Sequence, residues 1–218
     1  MALPWGPGAR PRTAGSGHGV LLLRGSVAAA ASWAGRGVVP VHVGRLGDWT
    51  VVMPAGGSQA APPYDDPLRL LAARPVPGRL RAALGLYAVD GKAVVVAVPS
   101  GWRAIQRYAV WVPGSGVATS AELRLARPRD LLRCAGVKDR TRAGALRDIL
   151  RDGLSDATTV LQRLAAALDL PAGPLLDHTT SPAALGEHRI VEPSVKSVRR
   201  FDDTIAQDAR QRAELEGR

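Results

Sequence analysis

The dipeptide Asp90-Gly91, set between the apolar runs Leu84–Val89 and Ala93–Val98, constrains the fold of this chain more than any other feature. A two-residue type I′ turn needs positive φ at both central residues, and Asp-Gly supplies it. Two antiparallel strands therefore meet here. The run Val94–Val95–Val96 has no polar alternate, which predicts a strand covered on both faces.

The rest of the first half reads around that hairpin. Val20–Leu23 is too short for a helix and suits a buried strand. Ser26 is placed to cap a helix over Val27–Ala34, which Gly35 and Gly37 stop. Val38–Val43 and Trp49–Met53 alternate as strands, with "GRLGD" between them as the hairpin loop. Asp65 or Asp66 can cap a helix that opens at Pro67. In "SGWRAIQRYAVWVPGSG", residues 100–116, the β-branched and aromatic end predicts a strand. Its alternation puts Trp102, Gln106, Tyr108, Val110 and Val112 on one face. Arg103, Ile105, Arg107, Ala109 and Trp111 fall on the other, with Trp111 read as core. "PGSG" then turns the chain into Val117–Leu125.

From Pro128 the periodicity becomes helical. Helices are expected over 128–135, over 140–152 and, capped by Ser155, from there to Leu168. A last helix runs from about Lys196 to Glu216. These readings divide the chain into a flexible tail (1–18), an α+β domain (19–126), a helical part (127–176), a connector (177–195) and a C-terminal helix (196–218). The expected class is α+β, a mainly antiparallel sheet followed by a helical C-terminal part; a ferredoxin-like two-layer sandwich is one topology that fits.

Charge enters at this point. The 218 residues carry 29 Lys and Arg against 19 Asp and Glu, a net of +10, and only three of the cations are Lys. Coding bias toward Arg accounts for such a balance, but bias acts everywhere, and here the charge is concentrated. Residues 67–151 hold 16 cations and 5 acids, which points to a basic face. On a helix from Arg140, the residues Arg140, Arg147 and Arg151 fall within about 40° of one another. With Arg103 and Arg107 on the strand, they form the candidate polyanion-binding set.

Motifs that would name a reaction are absent. No glycine pattern precedes a lysine as a phosphate loop requires. "GSGHG" at 15–19 precedes the first strand, where a dinucleotide loop would follow it. "GGSQA" at 56–60 is not a full nucleophile elbow. Asp65-Asp66 and Asp202-Asp203 read as helix-start acids rather than an acid–base pair. The best metal candidate, Asp177, His178, Glu187 and His188, matches no trusted zinc spacing, so no metal, cofactor or catalytic residue is assigned. Cys134 stands alone, which excludes an intrachain disulfide and reads as a small buried residue. It suits a reducing, cytoplasmic compartment. No apolar stretch approaches the ~20 residues that span a bilayer, and Arg24 interrupts the one run that imitates a signal core.

"LQRLAAALDLPAGPLL", residues 161–176, resembles the closing helices of small helix-turn-helix regulators, although the Gln-x-x-Val-Ser turn of that kind is missing. The expected function is that of a non-enzymatic interaction or regulatory protein, with another protein or a second copy as its partner. The C-terminal helix is the candidate contact, through the stripe Val198, Phe201 and Ile205. Nucleic acid, bound by segment 67–151, is the alternative partner, and an enzyme of unrecognised type is the third reading.

Overall fold

A computed structural model describes residues 17–101, 104–177 and 179–216. The strands β1 (His18–Leu23), β2 (Val41–Leu46), β3 (Trp49–Pro54), β4 (Ala83–Val89), β5 (Lys92–Val98), β6 (Arg107–Val112), β7 (Gly116–Ala118) and β8 (Gly186–Val191) form one antiparallel sheet. Their order is β7-β6-β5-β4-β1-β3-β2-β8. The helices are α1 (Val27–Ala34), α2 (Pro67–Ala73), α3 (Pro128–Ala135), α4 (Arg142–Arg151), α5 (Ala157–Ala167), α6 (Gly173–Leu176) and α7 (Val195–Glu216).

Strand alternation sends successive side chains to opposite faces, and both faces are apolar. Along β1, Leu21 and Leu23 join a core with Val27, Trp33 and Leu71 from α1 and α2. Val20 and Leu22 join a second core with Leu131, Leu146, Leu161 and Leu175 from α3 to α6. The helices of residues 128–176 therefore form a layer on the sheet that β1–β7 build. A two-layer arrangement would leave one face of that sheet bare; here helices cover both. Within the sheet, β1, α1, β2, β3, α2 and β4 follow one another in β-α-β-β-α-β order, and their strands lie side by side as β4-β1-β3-β2.

The Asp90-Gly91 turn has φ of 52° and 71°, the positive pair that the turn type needs. It joins β4 to β5 in the register Val89↔Lys92. Ser26 caps α1 by accepting from the Ala29 amide at 3.2 Å. Asp66 caps α2, accepting from Leu68 at 2.9 Å and Arg69 at 3.1 Å.

Several elements differ from the sequence reading. The β2–β3 loop shrinks to Gly47 and Asp48, because Gly44 is used inside β2. A Cβ there would lie 2.5 Å from Leu185 Cβ, so only glycine lets the chain after α6 pass this closely. β7 is three residues long, and Leu125 returns as a single bridge to Tyr108. α4 begins at Arg142, so Arg140 lies outside it. The cap of α5 is Asp156, whose carboxylate accepts from Thr159 N at 3.0 Å, in place of Ser155. The connector contains β8, which pairs with β2 at the edge of the sheet.

Candidate functional site

Within the stretch 100–116, β6 packs into the core through Ala109 and Trp111, while Ile105 is exposed. Trp111 is fully buried on β6, and its indole N–H donates to the Asp152 carbonyl at 2.8 Å. Trp102 and Arg103 lie outside the described residues. Arg107 is half-buried, with Nε 3.8 Å from the Asp130 carboxylate. It therefore serves the β6–α3 contact first.

Other cations of the basic segment are also engaged internally. Arg69 pairs with Asp66 at 3.2 Å and with Asp90. Arg74 lies 4.0 Å over the Trp33 ring and donates to the carbonyls that end α1. Burial, and then Arg36, lower its pKa to about 10. Arg81 donates to Val76 O at 3.0 Å and Gly101 O at 3.1 Å.

Most of the segment's exposed cations lie along residues 124–151, around α3 and α4; Arg79 and Lys92 are exposed outside that stretch. Residues 124–151 contain nine Lys and Arg against three acids. Arg129 and Arg133 stand four apart on α3, and Arg147 and Arg151 stand four apart on α4. All four are exposed, as are Arg124, Arg127, Lys138 and Arg140. α3 packs on α4, with Leu131, Leu132, Leu146, Ile149 and Leu150 turned to the sheet. The two arginine rows thus occupy the solvent side of neighbouring helices. Arg147 and Arg151 share the exposed side of α4, whereas Arg140 lies in the turn before it, outside the helix on which the sequence had placed all three. The row on α3 was missed, although its i,i+4 spacing was legible.

Beside this layer lies a hollow of about 550 Å³, lined by Arg24, Asp48, Trp49, Lys138, Arg142 and Asp169 among others. The Arg24 guanidinium sits 3.8 Å over the Trp49 ring and donates to Ala135 O at 3.0 Å. Arg142 pairs with Asp169, and Asp139 accepts from Thr141. Cations and acids balance within the hollow, so it has no strong preference for a charged ligand.

The C-terminal stripe divides. Val198 and Phe201 pack on the core beneath α1 and α2. Phe201 meets Tyr64 edge-on at 5.4 Å, and Asp202 accepts from Ala61 N at 3.1 Å. Gly35 O accepts from the Ser194 amide at 3.0 Å. Val198, Phe201 and Ile205 are all half-buried, but only Val198 and Phe201 pack against that core, and residues 209–215 are exposed.

Cys134 is buried, and burial, with Asp130 nearby, pushes its thiol up to about 12, which makes it unreactive at neutral pH. Among the described residues no group of three or more His, Cys, Asp and Glu gathers to hold a metal. Of the sequence's metal candidates, His178 lies outside the described residues. His188 faces His42 on β2, a partner the sequence reading did not give it. No described helix is long and apolar enough to cross a membrane. No protein-family model matches the chain, and neither a curated protein nor a solved structure matches it.

Proposed function

We propose that this chain is a non-enzymatic binding protein whose partner is a polyanion, with nucleic acid as the class that fits, held against α3 and α4. One observation carries the reading: two arginine rows on the solvent side of packed helices. Like charges at i,i+4 destabilise a helix by about 0.2–0.5 kcal/mol per pair, and this layer accepts that arrangement twice. Arginine presents a planar fork suited to phosphate. The third layer of the fold then acts as a platform, and the buried Cys134 suits a reducing, cytoplasmic setting. We read residues 18–89 as a ferredoxin-like unit, on the strength of their β-α-β-β-α-β order and strand positions; β5–β8 extend it at both edges.

The test is a salt series of duplex-DNA binding with the wild type and with a variant carrying Arg129→Gln, Arg133→Gln, Arg147→Gln and Arg151→Gln. Removing one arginine–phosphate pair flattens the slope of log K against log salt by about 0.9. The variant should bind every DNA sequence more weakly and with a shallower slope. Failure of the wild type to bind at low salt would overturn the proposal and leave coding bias as the source of the charge.

A second reading keeps α7 as a protein-docking element. It is favoured by the exposure of residues 209–215, two turns beyond the last anchored residue. Removing residues 207–218 should then abolish a protein contact without lowering the melting temperature.

A further inference from the structure

His42 on β2 and His188 on β8 bring two ring nitrogens face to face at the edge of the sheet. Nδ1 of His42 lies 3.0 Å from Nε2 of His188. The ring centroids are 5.2 Å apart and the planes are inclined by 26°. The register opposes His42 to Ile190, and His188 is two residues along β8, so the rings are diagonal neighbours on one face. A register shift follows between Val43 and Arg45, and Glu187, next to His188, takes the left-handed conformation with φ of 49°. Both rings are half-buried, which leaves them reachable from solvent.

Two neutral imidazoles at this distance share one proton, one ring donating and the other accepting. The same separation suits two ligands of one ion. With metal–nitrogen bonds of about 2.0–2.1 Å, ligands at a right angle lie about 2.9 Å apart and tetrahedral ones about 3.3 Å. We propose that His42 and His188 form a two-nitrogen site for a divalent transition-metal ion, with copper(II) the preferred occupant.

Imidazole suits several such ions, and a site without imposed geometry follows the order of intrinsic affinity, which peaks at copper(II). The protein supplies two ligands, and the remaining positions go to water, as in an exchangeable site rather than a closed structural one. The ion would bind His42 Nδ1 and His188 Nε2 from beside the line that joins them. The proton that lay between the rings moves to the far nitrogen of its own ring, so no net charge is transferred.

The experiment titrates copper(II) into the full chain, read by calorimetry and by the nitrogen hyperfine pattern in electron paramagnetic resonance. The wild type should show a site with two nitrogen ligands. His42→Gln and His188→Gln should each weaken it at least tenfold and remove one nitrogen, whereas His18→Gln should leave it unchanged. Equal affinity in the wild type and the double variant would overturn the proposal. So would variants that lose thermal stability while binding copper(II) as before, since the pair would then only fasten β8 to β2. Should the variants not fold, paramagnetic broadening of the two imidazoles in the wild-type NMR spectrum decides: selective broadening supports the site, and its absence refutes it.

Discussion

Tyr87 shows how single residues trade fit against polarity in this fold. Its ring lies over Gly19 and Gly85, where a Cβ would come within 2.4 Å and 2.5 Å of ring carbons. Two glycines thus clear the space for one ring. Its hydroxyl is buried with no hydrogen-bond partner among the described residues, and burial, then Tyr108, push its pKa up. An unpaired buried hydroxyl costs about 1–3 kcal/mol, so Tyr87→Phe should raise stability by about 1 kcal/mol in urea denaturation. Gly91→Val should act in the other direction, by about 1–2 kcal/mol, because a β-branched residue resists the left-handed conformation at this turn. An unchanged urea midpoint in that variant would contradict the turn geometry. Asp152 is a third such position. Its carboxylate accepts from Leu154 N, Ser155 Oγ and Arg163, in that order of effect, and these hold its pKa down to about 2. A carboxyl lowered on folding adds stability above its unfolded value near 3.8, and that stability is lost as pH falls toward 2. Asp152→Asn should therefore flatten the dependence of melting temperature on pH between about 4 and 2.

At the scale of elements, caps, turns and hairpins are legible in the sequence, whereas pairings between distant segments are not. Ser26, Asp66 and Asp90-Gly91 each act within a few residues, through a cap or a turn, so the sequence displays them. β8 is different. "GEHRIV" alternates weakly, its residues are half or fully exposed, and it is a strand only because the edge of β2 needs hydrogen-bond partners. Nothing local announces that, and the meeting of His42 with His188 was hidden for the same reason. The helix α7 lies between these cases. Its periodicity predicted the helix, but the stripe could not say whether its own core or another protein would cover it. Because Phe201 sits against Tyr64, Phe201→Ala should lower the melting temperature, at about 1–2 kcal/mol, less than the ~3–5 of a fully buried ring. A calorimetric scan showing no change would return Phe201 to the role of a partner contact.

At the scale of the whole molecule, both cores are built on one sheet. Val20 and Leu22 serve one core while Leu21 and Leu23 serve the other, so neither helical layer can be released without exposing strands that the opposite layer needs. We expect residues 19–126 and 127–176 to unfold together. Single-tryptophan variants retaining Trp33 in one core or Trp111 in the other should give superimposable urea transitions. Separate midpoints would show two independent units. The same architecture sets an order of assembly on the ribosome. β2 waits for β8, whose His188 lies 146 residues beyond His42. A nascent chain that has completed β1 to β7 therefore still presents a bare strand edge. Until β8 emerges, that edge is open to pairing with another unfinished chain. Translation that stalls before residue 186 would release a product that holds β1 to β7 yet is prone to aggregate, and a synthetic peptide spanning 186–191 supplied in trans should suppress that aggregation.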